Sequence, residues 1–193
     1  MIFTKKDLKE TLNADYAHDR QIGGKKMWLE FLKGNMQVWW KYRFLKNLRY
    51  IEFCQNNRNS LWGKIRYVLA NHIFQNLQIK TNLFISPNVF GPGLNIEHLG
   101  FIRADSVAKI GKNCTILPRV LLGKKKPSVP LGSITIGDNA YLGSGCTILG
   151  PVNIGNNVIV AAGAVVINDV PDNCMVAGNP ACIKKRNILP ILD

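Results

Sequence analysis

The sequence predicts a mainly β protein, a solenoid of stacked three-sided coils preceded by a small α-helical region. Three observations carry that prediction. Aliphatic side chains recur every six residues at Ile136, Leu142, Ile148, Ile154, Val160 and Val166. Four residues after each comes a small or medium-sized apolar one: Ala140, Cys146, Val152, Val158, Ala164 and Val170. Residues 1–80 lack that period and space their aromatic and aliphatic residues three and four apart. A helix repeats every 3.6 residues and a strand every two, so a period of six needs another geometry. A coil of about 18 residues with three short flat faces supplies it, each face giving one inward aliphatic and one small residue near a corner.

The helical half reads in three segments. "KKDLKETLNADY" places Leu8 and Leu12 one turn apart. "MWLEFLKGNMQVWWKYRFLKNLRYIEFCQ" is amphipathic with Gly34 as its break, and "SLWGKIRYVLANHIFQNL" repeats the pattern. Lysines and arginines lie among Trp28, Phe31, Trp39, Trp40, Phe44, Tyr50 and Phe53. This is read as a bundle packing on itself, on a neighbouring subunit or on the second half, with a membrane-surface platform as the alternative. The domains are therefore 1–81, basic and helical; 82–183, the solenoid; and 184–193, a tail.

The period of six extends backwards through Ile110, Ile116 and Leu122, with Cys114 and Val120 at the offset of four. Two slips interrupt it. The step from Leu122 to Ile136 exceeds two repeats of six by two positions. That stretch, "GKKKPSVPLGSIT", holds three lysines and two prolines that cannot line an interior, so a loop should protrude over about 123–135. Around His98, Phe90 and Ile96 share one register while Ala104 and Ile110 share another, offset by two. A side chain inside the slip is released from in-or-out alternation and can face a groove. His98 is the one histidine after His72, and an imidazole with a pKa near neutrality suits removal of a hydroxyl proton. A structural histidine at a coil irregularity is the alternative. His18 and His72 are read as ordinary helix histidines.

The formal net charge of +13 is uneven, with 15 basic and 6 acidic residues in 1–80 against 10 and 6 in 81–193. It invites an anionic partner without choosing one. Five cysteines, an odd set without CxxC spacing, argue for buried free thiols in the cytosol. No metal-ligand cluster, P-loop or GxGxxG fingerprint appears, and no nucleic-acid motif accompanies the basic residues, so neither a metal nor nucleic acid is expected.

"IGDNAYLGSGCTILGPVNIGNNVIVAAGAVVINDVPDNCMVAGNPACIKK" resembles the hexapeptide-repeat acyltransferases, down to the closing "DVPDN…VAGNPA" segment. The resemblance covers roughly residues 82–186. It implies a left-handed parallel β-helix, a homotrimer, and acetyl-CoA bound in the groove between subunits. It also assigns cofactor contacts: the backbones of Ser144 and Ala162 for pantetheine, Lys184 and Lys185 for phosphates. "GPGLNIEHLGF" is similar to the "GxGxxxDH.TG" stretch of serine O-acetyltransferases, and His98 matches their catalytic histidine. Two features of that branch are missing. Phe84 stands near the aspartate that orients the histidine, and Gly132 and Ser133 stand where it has an Arg-His pair that holds the amino acid. The pattern therefore looks closer to the serine-acetyltransferase-like enzymes of polysaccharide pathways.

The expected protein is thus a cytoplasmic acetyl-CoA-dependent O-acetyltransferase, sited at the inner face of the membrane if the helical platform docks there. Its expected acceptor is a saccharide hydroxyl, attacked directly with His98 as general base. Serine O-acetylation for cysteine synthesis is the second expectation. The third, of another class, is a non-catalytic β-helix scaffold docking a membrane or anionic polymer.

Overall fold

Ile136, Leu142, Ile148, Ile154, Val160 and Val166 are each 3% exposed or less, and the residues four places after them are buried as well. The structure is a computed structural model that describes residues 1–18, 25–128, 130 and 133–189. Helices α1 (Lys5–His18), α2 (Lys25–Leu32), α3 (Met36–Asn56) and α4 (Leu61–Thr81) come first. Short strands follow: β1 (Leu83–Ile85), β2 (Asn95–Ile96), β3 (Ile102–Ala104), β4 (Ala108–Ile110), β5 (Thr115–Ile116), β6 (Leu121–Lys124) and β7 (Ile134–Ile136). The series continues with β8 (Tyr141–Leu142), β9 (Thr147–Gly150), β10 (Val152–Ile154), β11 (Ile159–Val160), β12 (Val165–Val166), β13 (Cys174–Ala177) and β14 (Cys182–Arg186).

These strands form three faces of one prism. Their orders are β1-β3-β6-β9-β12, β4-β7-β10 and β2-β5-β8-β11-β13-β14. Every pairing is parallel except β13 with β14. Ile136 pairs with Ile154, Leu142 with Val160 and Ile148 with Val166, so one coil is three repeats of six. Consecutive coils are about 4.8 Å apart, the ordinary strand spacing.

Asparagines build one corner. Asn113, Asn139, Asn157 and Asn173 have φ of 55 to 58°, a left-handed conformation that asparagine tolerates better than most residues. Their amides form a ladder, Asn113 donating to Asn139 at 3.0 Å, Asn139 to Asn157 at 2.9 Å and Asn157 to Asn173 at 2.7 Å.

The slips resolve as insertions of different size. Ile96 pairs with Ile116, two positions beyond a regular coil, so the first coil carries the excess expected around His98. Ile110 pairs with Ile136, and Leu122 with Ile148, each eight positions beyond a regular coil. The second insertion is therefore one of eight, not of two. Leu122 and Ile136 lie on adjacent faces, and counting in sixes cannot tell an excess of two from one of eight. β6 runs through Lys124 and β7 starts at Ile134, so the projecting segment is shorter than 123–135; residues 129, 131 and 132 lie outside the described residues. Residues 184–186 are likewise not a tail but the end of β14.

Gly34, at φ +81°, separates α2 from α3 as its position suggested. Ser60 caps α4 by accepting from the Gly63 amide at 3.0 Å. The helices share one apolar core with the first coil, joining Phe44, Leu48, Ile51 and Phe74 to Leu83, Ile85, Phe90 and Leu94.

A buried ion cluster fixes this junction. Arg49, 1% exposed, donates to Asp15 at 2.7 and 3.1 Å, to Glu52 at 3.0 and 3.2 Å, and to the carbonyls of Phe90 and Gly91 at 2.9 and 2.8 Å. Asp15 in turn accepts from the amides of Gly93 and Leu94 at 2.8 and 2.9 Å. Burial alone would lower the guanidinium's pKa, but Glu52 and Asp15 outweigh it and keep Arg49 charged.

Candidate active site

His98 is exposed, in the turn that carries the chain from β2 toward β3. The step of eight from Ile96 to Ala104 lets that turn swing out, and the Glu97 amide still donates to the Ile116 carbonyl at 3.1 Å. Gly100, at φ +155°, follows closely. A Cβ there would meet Pro118 at 3.0 Å, so glycine lets the turn lie on the next coil.

A side chain of α3 meets the ring. Gln37 Nε2 lies 3.3 Å from His98 Nδ1, and both side chains are exposed. One turn further along the helix, the buried Lys41 ammonium donates to the Glu97 carbonyl at 3.3 Å. A side chain 61 positions away in an amphipathic helix leaves no signal in the sequence. Phe84, at the aspartate position, instead packs against Phe101 with ring centroids 6.2 Å apart. Glu97 accepts from the Asn95 amide at 3.1 Å.

Two of the four expected cofactor residues, Ser144 and Ala162, lie on the same edge of the prism. Ser144 Oγ and the Gly145 amide both donate to the Pro118 carbonyl at 3.0 Å, directly beneath the His98 turn. Gly163, next to the exposed Ala162, donates to the Ser144 carbonyl at 2.9 Å. His98, Pro118, Ser144 and Ala162 therefore mark one corner through successive coils. Lys184 and Lys185 are exposed on β14, at the far end of the face that begins with β2. The lysine segment leaves from a different corner, and the Lys125 ammonium donates to the Ile167 carbonyl. Gly132 lies outside the described residues, and Ser133 leads directly into β7.

His72 is exposed on α4, and the side chain of His18 lies outside the described part. Cys54, Cys114, Cys146 and Cys174 are buried free thiols; Cys182, expected to be buried too, is exposed because β14 is an edge strand. Burial pushes the Cys146 thiol up to about 12. Among the described residues, no three His, Cys, Asp or Glu side chains stand together as a metal site.

A solenoid of this period with these corners defines a class, and comparison agrees. The family described as "Bacterial transferase hexapeptide (six repeats)" matches residues 133–168. The solenoid is that of the hexapeptide-repeat transferases. Within that class the likeness runs to serine acetyltransferases. That of Staphylococcus xylosus is 34% identical over 130 residues, 67% of this chain and 60% of the relative. Serine acetyltransferase 4 of Arabidopsis thaliana is 36% identical over 124 residues, 64% of this chain and 35% of the relative. The chain thus spans about a third to three-fifths of the length of these relatives. The crystal structure of the Neisseria gonorrhoeae serine acetyltransferase superposes with a TM-score of 0.72 at 25% identity, over 96% of this chain and 69% of that one.

These relatives correct the saccharide acceptor expected from the sequence. That expectation rested on a missing aspartate and a missing Arg-His pair. Gln37 weakens the first reason, because this chain meets the ring nitrogen from another element.

Proposed function

We propose that the chain is an acetyl-CoA-dependent O-acetyltransferase whose acceptor is the hydroxyl of L-serine, with His98 as general base. The observation that carries the reading is the placement of an exposed imidazole, held at Nδ1, on the corner that also bears Ser144 and Ala162. The serine acetyltransferases to which the chain is similar support the acceptor.

In this reading Nδ1 of His98 keeps its proton and donates it to Gln37, whose amide turns over to present Oε1. Nε2 is then the base. It takes the hydroxyl proton as the acceptor oxygen bonds to the thioester carbonyl carbon. The tetrahedral intermediate collapses, the C–S bond breaks, and the imidazolium returns the proton to the departing CoA sulfur. Such a base contributes about 10²–10⁴-fold. Backbone groups around Ser144 and Ala162 would hold pantetheine, and Lys184 and Lys185 the CoA phosphates. A left-handed coil sense and a cytosolic homotrimer with sites between subunits complete the reading.

The test is CoA thiol release from acetyl-CoA, with the product followed by mass spectrometry. L-Serine should be required, O-acetylserine should accumulate, and His98→Ala should lower turnover at least about a hundredfold. Release that ignores L-serine, or a His98→Ala variant at near-normal rate, overturns the proposal.

A further inference from the structure

We propose that the outer face of α4 seats the chain on an anionic lipid surface. One side of α4 is buried through Gly63, Ala70, Phe74 and Leu77. The opposite side is apolar and open. Leu61, Trp62, Ile65, Val68, Leu69 and Ile73 are 43 to 79% exposed; Ile79, 72% exposed, stands apart beyond the polar His72, Gln75 and Asn76. Scattered exposed aliphatics are ordinary, but Leu61 to Ile73 form one stripe of about 18 Å at the helical rise.

Charge selects the occupant. Lys64, Arg66 and Lys80 flank the stripe, and no aspartate or glutamate occurs between Glu52 and Glu97. The guanidinium of Arg66 lies 5.3 Å from the Phe53 ring centroid and the ammonium of Lys80 5.9 Å from that of Trp40. Both cations therefore ride on apolar surface beside the stripe. A second copy of α4 would bring the same cations against these and no carboxylate to meet them. A sheet of lipid phosphates supplies counter-charge along the whole length, with acyl chains at the depth the aliphatics reach. Among the described residues no helix is long and apolar enough to cross a membrane, so α4 lies in the interface. This holds whichever hydroxyl is acetylated.

The experiment is co-sedimentation of the full chain with vesicles of phosphatidylcholine alone and of phosphatidylcholine mixed with phosphatidylglycerol. Binding should require phosphatidylglycerol, weaken with salt, and fall at least about tenfold in Val68→Glu/Leu69→Glu. Both residues are 63% exposed, so that variant should keep its helical circular dichroism and thermal midpoint. A second variant, Lys64→Gln/Arg66→Gln, should weaken binding with the apolar stripe intact. Three results overturn the proposal: no binding at low salt, equal binding to both vesicles, or binding unaffected by Val68→Glu/Leu69→Glu. A fall in assembly mass of that variant without vesicle binding assigns the stripe to a second copy, and overturns it too.

Discussion

Gln37 reaches across from α3 to stand 3.3 Å from Nδ1 of His98. An uncharged amide thus meets the ring that the resemblance implies a carboxylate orients. If it positions the base, Gln37→Ala should lower kcat about tenfold, the value of one hydrogen bond, and leave KM nearly unchanged. Gln37→Glu should keep the rate and move the acidic limb of the kcat/KM profile to higher pH, because a carboxylate stabilises the imidazolium. An unchanged pH profile in Gln37→Glu would leave the contact without a catalytic part.

Arg49 ties two helices to the segment that leads into β2 and the His98 turn. Arg49→Met removes the cation and leaves Asp15 and Glu52 buried, at 0 and 2% exposure, with no counter-charge. Breaking a buried pair in this way costs about 3–5 kcal/mol. At about 2–4 °C per kcal/mol for a chain of this size, the calorimetric midpoint should fall on the order of 10 °C. A loss of only a degree or two would mean that the carboxylates find other partners.

The thiols sort by burial. Of five cysteines only Cys182 is exposed, so the native chain should react rapidly with one equivalent of a thiol reagent, and Cys182→Ser should abolish that reaction. Burial lifts the Cys146 thiol from 9.0 to about 12. Its stabilising effect is therefore full below pH 9 and is lost as pH climbs toward 12. Over that window stability should decline by about 1.4 kcal/mol per pH unit for this group, and Cys146→Ala should flatten the slope in urea titrations.

The solenoid was legible because its interior is periodic. Each coil offers the same three inward aliphatic positions, so the six-residue series from Ile136 to Val166 fixes the faces without any tertiary knowledge. The excess of two around His98 was legible on the same grounds. The size of the loop after Leu122 was not, since phase is conserved when a whole face is skipped. Nor were Gln37, Asp15 and Arg49, whose roles arise where helix meets coil, between segments with unrelated periods. His98 could be singled out by its type and its place in a slip; the group that meets it could not.

One signal in the sequence was present and unread. "GDN", "GNN" and "PDN" each end in an asparagine at positive φ: Asn139, Asn157 and Asn173. At φ 55°, alanine would carry about 1–2 kcal/mol of steric cost that glycine avoids. Either substitution loses the amide ladder through Asn139 and Asn173 equally. Asn157→Ala should therefore melt below Asn157→Gly by several degrees, at about 2–4 °C per kcal/mol, reversing the order of these residues in a helix. Should Ala prove the more stable of the two in calorimetry, the corner does not depend on the left-handed backbone, and hydrogen bonding alone explains its asparagines.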